Sequence, residues 1–431
     1  MFYYNAKYTF ALPGQAPTAI AGGIIPASAM PAGQLVRRDF RKYPYLQHRL
    51  FDPQLYLSSL DPDVSAKSVV NLASWPWFCP GAVPEYDSDT HKSVKNWKDL
   101  NAAALLQSWR NCVPNDAQGI GDAAKAAVKA QMELGCEMII LPGPLTTLAT
   151  QQYAKETEWV DAGLEACKSL KVGIPVLATV AISDNVLRGL DPTQNPLLQT
   201  ITNQLSARGE LAGAYILPEL ASESGYVCTS RETLLCLLLL IDDLVRGAGK
   251  TALVNYVGTF GAVASAVGAS VWSSGYYRGQ RRLKLADFED QEGRAMPRYH
   301  SLKLAGDIGL QNDIQTAYGQ FGDRILIDTK DGRSLIQALA SGTYPPPEWE
   351  YSQSNIAAAG GHYVEIAYRL GQIATQSSSA RIETVKRWLE GAVLWSSNLQ
   401  KIGITSSSQT ELTHQAVWLN AFQTWRSHAG I

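Results

Sequence analysis

The chain is poor in the features that tie a protein to a metal, a membrane or an oxidising compartment. Its six cysteines (Cys79, Cys112, Cys136, Cys167, Cys228 and Cys236) include no C-x-x-C pair, and several sit inside apolar patterns such as TLLCLLLLID. That usage predicts reduced, buried thiols and excludes a structural zinc site. The six histidines are scattered, with no H-E-x-x-H or H-x-H pair, so no metal site and no cofactor is expected. The longest apolar run, Leu234–Ile241, falls far short of the about 20 residues a membrane span requires. MFYYNAKYTFALPG has no basic segment leading into an apolar core, so no signal peptide and a cytoplasmic location are expected.

Charge of one sign is also scarce. A formal net charge of −2 excludes coating of nucleic acid by bulk charge, and any phosphate contact has to come from a local cluster. Three catalytic signatures are missing: G-x-G-x-x-G after a strand, G-x-S-x-G, and the phosphate loop G-x-x-x-x-G-K-[ST]. Gly247-Ala-Gly-Lys250-Thr251 has the wrong context for a phosphate loop, because it ends a helix and precedes a strand.

What is present is alternation. Glu137–Leu141, Ile174–Ile182, Gly213–Leu217, Thr251–Val257 and Ser270–Trp272 are short, continuously apolar runs. Helical patterns separate them at Leu148–Leu170, Leu197–Ala207, Thr229–Val245 and Phe260–Gly268, with a capping box expected from Thr229 to Glu232. Continuous apolar strands between helices predict a parallel sheet covered on both faces. Two earlier strands are expected in HRLFDPQLYL and SVVNLASWPWF, with helices at Asn96–Trp109 and Gly121–Leu134. An eighth strand falls to Arg298–Leu304 or Arg324–Thr329, giving an α/β fold of the (β/α)8 TIM-barrel type, with an open doubly wound sheet as the alternative. The expected division is an irregular Pro/Gly/Ala-rich arm over 1–44, a barrel over 45–335 and a helical C-terminal extension over 336–431. Trp388, Trp395, Trp418 and Trp425 recur in that extension, either filling its core or forming a surface for a protein partner.

In such a barrel, polar residues just past the strand ends converge on one rim. Asp52, Asp184 and Glu219, with Glu223 nearby, are therefore acid/base candidates, and Asn255, Tyr256, His300 and Asp328 are further rim residues. Asp52 and Asp184 also fit helix caps or turns. The loop WSSGYYRGQRRLK gathers Arg278, Arg281 and Arg282, suited to capturing phosphate or carboxylate, beside Trp272, Tyr276 and Tyr277 as stacking faces. The same arginines can instead pair with Asp287, Glu289, Asp290 and Glu292.

The run NYVGTFGAVASAVGASVWSSGYYRGQRR resembles a segment of tRNA-guanine transglycosylase barrels and their DNA-modifying relatives. There, a strand and V-G-T lead to a helix ending in L-G-A/V, then an aromatic residue and an aspartate nucleophile. The resemblance covers about thirty residues; Ser273 and Ser274 stand where the aspartate is expected, and the family's cysteine-rich zinc motif is missing. It implies a barrel that binds a nucleotide or nucleic acid at its rim with altered or lost catalysis. The alternative from another class is a non-catalytic scaffold or interaction subunit of a multiprotein assembly.

Overall fold

A computed structural model describes residues 1–6, 9–14, 20–43, 46–78, 109, 112–148, 153–290, 298–310, 312–324, 329–340 and 353–431. Its sheet is a ring of parallel strands: β1 (Phe2–Asn5), β2 (Gly22–Pro26), β3 (His48–Asp52), β4 (Ile139–Ile140) with β5 (Leu145–Thr146) beyond it, β6 (Val176–Ser183), β7 (Gly213–Glu219), β8 (Thr251–Asn255) and β9 (Val271–Ser274). The spatial order is β3-β2-β1-β9-β8-β7-β6-β4, with β5 also pairing β6. Every pairing in it is parallel. Side chains close the seam between β3 and β4. The Glu137 amide donates to Arg49 O (3.4 Å), while the Glu137 carboxylate accepts from the Arg49 amide (2.5 Å) and guanidinium (2.6 and 3.1 Å). Eight staves form a nearly closed (β/α)8 barrel.

Two of the eight staves come from the stretch expected as an irregular arm. Phe2–Asn5 and Gly22–Pro26 are buried along their whole length, so neither shows the alternation that marks a half-exposed strand. The candidate eighth strand at Arg298–Leu304 is used differently. Arg298–Ser301 (β10) pairs antiparallel with Gly306–Gly309 (β11) in a separate hairpin over the rim. Of the other candidate, residues 325–328, and Asp328 with them, lie outside the described residues. So do residues 341–352 and all of the expected helix Asn96–Trp109 except Trp109.

SVVNLASWPWF is no strand: Ala66–Ala73 is a helix, with Val69, Leu72 and Ala73 turned inward at helical spacing. Farther on, the expected elements appear with shifted ends. The helix Arg231–Asp242 starts one residue later than its capping box suggested, because the Ser230 hydroxyl accepts from the Thr233 amide. The Ala/Gly-rich helix Gly261–Val267 owes its composition to a close approach: a Cβ at Gly261 would lie 2.3 Å from the Trp272 ring.

The C-terminal helices Gln353–Gly371, Ser378–Lys401 and His414–His428 are continuous with the barrel core. Trp418 and Trp425 are buried, and Trp418 donates to Cys228 O (3.1 Å). Trp388 donates to Leu302 O (2.6 Å), and Trp395 meets Phe321 edge-on at 5.4 Å. Trp418 and Trp425 fill the core, while Trp388 and Trp395 are half-buried.

Gly261→Ala is expected to lower stability by about 1–3 kcal/mol through overpacking against Trp272. Urea unfolding checks this, and a variant as stable as the parent would show that the helix can slide away from the sheet.

Candidate functional site

The barrel mouth is closed by its own side chains. Asp52, at the end of β3, accepts from the phenols of Tyr56 (2.6 Å) and Tyr215 (2.7 Å) and from the Gln54 amide (3.0 Å). Asn255 donates to Tyr215 Oη (2.6 Å), and Gln54 Nε2 donates to Tyr256 Oη (3.2 Å). Burial pushes the Asp52 carboxyl up to about 6, against the lowering effect of its hydrogen bonds. With no exposed surface, Asp52 plugs the mouth.

The other two acid/base candidates are also occupied. Glu219 accepts from the Ser183 hydroxyl (2.6 Å), and burial raises its pKa. Asp184 accepts from Arg188 (3.0 Å) and from the amide and hydroxyl of Ser222 (3.1 and 3.2 Å). Glu223 takes Arg188 (2.9 Å), the Thr229 and Ser230 amides (both 2.9 Å) and the Thr229 hydroxyl (2.8 Å), which pins the start of the next helix. The turn-and-cap role therefore describes Asp184 and Glu223 best.

The arginine-rich loop is equally committed. Arg282 forks onto Asp287 (2.8 and 2.7 Å), donates to Gly225 O and lies over the Tyr226 ring. Arg281 holds both oxygens of Asp307 (2.8 and 2.9 Å), donates to Tyr276 O (2.9 Å) and stacks on Tyr363, 3.7 Å from the ring centre. Neither guanidinium is free to capture a phosphate. The Arg278 side chain lies outside the described residues. Trp272 corrects the expectation of a stacking face: it is fully buried, turned outward between Gly261 and Phe2, whose ring lies 4.7 Å away. Tyr276 and Tyr277 are half-buried and packed on each other at 3.9 Å. At the aspartate position of the transglycosylase-like segment, the Ser273 hydroxyl is buried and Ser274 shares a hydrogen bond with Tyr363 (2.8 Å).

The open space lies beside the mouth. A partly open pocket, whose about 600 Å³ of empty space includes open solvent, is bounded by the ends of β7 and β8, the helix Arg231–Asp242, the β10–β11 hairpin and the C-terminal helices. Leu220, Val227, Leu234, Leu237, Phe260 and Trp418 make its body apolar. Tyr256 separates it from the Asp52 network. The Tyr256 backbone takes a left-handed φ of 60°, a strained conformation for an aromatic residue.

Polar groups gather at one end, where Arg281, His300, Tyr363 and Glu411 line the pocket. Asp307 organises them. His300 and Asp307 are cross-strand partners in the hairpin, with Nδ1 and Oδ1 2.8 Å apart. The Asp307 amide donates to Glu411 Oε2 (3.1 Å), and the Glu411 amide donates to Asp307 O (3.0 Å). An ionised carboxylate only accepts, so Nδ1 carries the ring hydrogen and Nε2 keeps its lone pair. Burial lowers the His300 pKa below the usual histidine range, against the pull of Asp307, leaving the ring neutral at pH 7. His300 is only 4% exposed, and its Nε2 has no hydrogen-bond partner among the described residues.

Of the rim residues expected from sequence, the structure brings His300, Arg281 and Tyr256 to this pocket; Asp52, Asp184, Trp272 and Arg282 do not line it. Asp307, Tyr363 and Glu411 were not anticipated. The available signal was the hairpin itself: RYHS and GDIG flank a four-residue turn and set His300 opposite Asp307.

No family model matches the chain, and no curated protein matches it. Among solved structures, a dihydrodipicolinate synthase from Oceanobacillus iheyensis is similar over 72% of this chain and 70% of its own, at 10% identity and a TM-score of 0.24. The barrel assignment stands on the strand order rather than on that likeness.

A buried carboxyl with a raised pKa holds its proton more tightly when folded than when unfolded. Stability contributed by protonated Asp52 is therefore fully present below its ordinary 3.8 and is lost as pH rises through about 6. Relative to Asp52→Asn, the wild type is expected to lose up to about 3 kcal/mol of unfolding free energy between about pH 4 and 6. Denaturant titrations of both proteins across that window read the difference, and a flat difference would mean Asp52 stays ionised in the fold.

Proposed function

We propose that this (β/α)8 barrel binds a small, mainly apolar molecule in the pocket between the β7–β8 rim and the C-terminal helices. One observation carries the reading: a partly open, mainly apolar pocket, whose about 600 Å³ of empty space includes open solvent, has Arg281, His300, Tyr363 and Glu411 among its lining. Pockets that are apolar with a few convergent polar groups are the usual form of small-molecule sites.

The nucleotide or nucleic-acid reading finds less support. Arg281 and Arg282 are spent on Asp307 and Asp287, Trp272 is inaccessible, and no carboxylate replaces the serines at the end of β9. A scaffold role through the tryptophan-bearing helices has less support from Trp418 and Trp425, which are buried in the core. Among the described residues no helix is long and apolar enough to cross a membrane.

The neutral fluorophore N-phenyl-1-naphthylamine tests the pocket. Binding to the wild type with enhanced emission is expected. Leu234→Trp, which fills the pocket from the helix Arg231–Asp242, is expected to weaken it at least about tenfold while circular dichroism stays unchanged. Leu394→Trp, at an exposed leucine, is expected to change nothing. Equal binding by both variants would place the dye elsewhere and remove the pocket from consideration.

A further inference from the structure

We infer that residues 220–230, between β7 and the helix Arg231–Asp242, gate this pocket, and that Arg282 is the latch that holds the gate shut; this rests on the pocket reading above. Tyr226, Val227, Val257, Gly258 and Arg281 are the half-buried members of the lining, and they mark its mouth. The rest of the lining is buried, so a molecule of the dye's size reaches Leu234 or Trp418 only when part of the mouth moves. One side of the mouth is fixed: a Cβ at Gly258 would lie 3.8 Å from Arg281 Cβ, and Arg281 is itself held by Asp307. Tyr226 and Val227 form the other side, and both belong to the loop.

The loop is tied firmly at its ends. The Leu220 amide donates to Leu283 O (2.7 Å), and the Ser222 amide donates to Asp184 (3.1 Å). Glu223 accepts from the Thr229 and Ser230 amides, and Cys228 O accepts from Trp418. The tip differs. Ser224 and Gly225 are exposed, and a Cβ at Gly225 would meet nothing nearer than Val227 O at 3.9 Å. Arg282 reaches across to this tip, donating to Gly225 O and lying over the Tyr226 ring, 4.2 Å from its centre. Asp287 holds the guanidinium in that pose through both carboxylate oxygens (2.8 and 2.7 Å). Arg282 does not line the pocket, so it acts on a ligand only through the loop. A loop with pinned ends and an exposed tip opens at lower cost than a packed helix or strand, and loops of this kind control ligand entry and release. The arginine-rich segment then serves the pocket without touching what it binds.

Rates tell a gate from a wall. Loosening a gate speeds entry and exit together and leaves affinity nearly unchanged, whereas damage to a wall speeds exit alone. Stopped-flow mixing with N-phenyl-1-naphthylamine reads both rates. Arg282→Met removes the guanidinium and keeps a side chain of similar reach. Association and dissociation are both expected to quicken about tenfold, the yield of losing a hydrogen bond from a charged donor, with Kd changed by less than about threefold. Asp287→Asn loosens the fork on Arg282 from outside the pocket lining, and both rates are expected to rise about threefold.

Should Arg282→Met fail to fold, Asp287→Asn carries the test by itself. Faster exit with unchanged or slower entry would make Arg282 a brace of the wall and overturn the gate. Unchanged rates in a folded variant would overturn it too, and the pocket would stand so long as Leu234→Trp still weakens the dye. A wild type that binds no dye would sink the pocket reading, and the gate with it.

Discussion

The first residues of the chain are the stave on which the rest of the molecule depends. Phe2–Asn5 lies between β2 and β9, pairing Tyr3 with Gly22 on one side and with Ser273 on the other. Without it the sheet would be an open one, with unpaired edges at β2 and β9. The amino terminus donates to Ser270 O (2.6 Å), and burial lowers its pKa to about 6. Phe2 packs under Trp272 and against Gly371, where a Cβ would lie 2.6 Å from Phe2 Cβ. That contact seats the helix Gln353–Gly371 across the barrel. The same helix delivers Tyr363 to Ser274 and Arg281, and His362 to His300 O (2.9 Å). Closure of the barrel and construction of the polar end of the pocket are thus consequences of one strand.

How much of this was legible in the sequence follows from how each element is stabilised. The staves β6 to β9 are continuous apolar runs between periodic helices, and local pattern suffices to find them. β1 and β2 are 4 and 5 residues long and embedded in Pro/Gly/Ala-rich chain, and β1 takes one of its partners from β9, where Phe2 pairs with Trp272. Ala66–Ala73 is ambiguous for another reason: VVNLA supports either a strand or a helix by composition, and packing of Val69 and Leu72 decides it.

The site shows the same division. Rim carboxylates are predictable from strand ends, and Asp52, Asp184 and Glu219 do lie there. Their engagement is a three-dimensional fact: Asp52 is bonded by Tyr215, 163 residues away, and Asp184 by Ser222, 38 residues away. The pairing of Arg282 with Asp287 was legible because the two are close in sequence; that of Arg281 with Asp307 was not. Sequence proximity favours the reading in which an arginine serves structure, and the distant partner is the one that builds a pocket.

Asp307 also bears on whether that polar end exists for stability alone. A buried guanidinium–carboxylate pair gains little over well-packed apolar residues, because both charges must leave water. Here the carboxylate is well satisfied, by Arg281 on both oxygens and His300 on one, and its backbone exchanges hydrogen bonds with Glu411. His300 Nε2 and Arg281 Nε find no hydrogen-bond partner among the described residues, and both atoms are buried. Contrast the Asp52 plug, where the carboxylate and its tyrosines bond one another and nothing is offered outward. The barrel therefore divides its buried polar groups: one network seals the mouth, and the other builds the polar end of the pocket beside it.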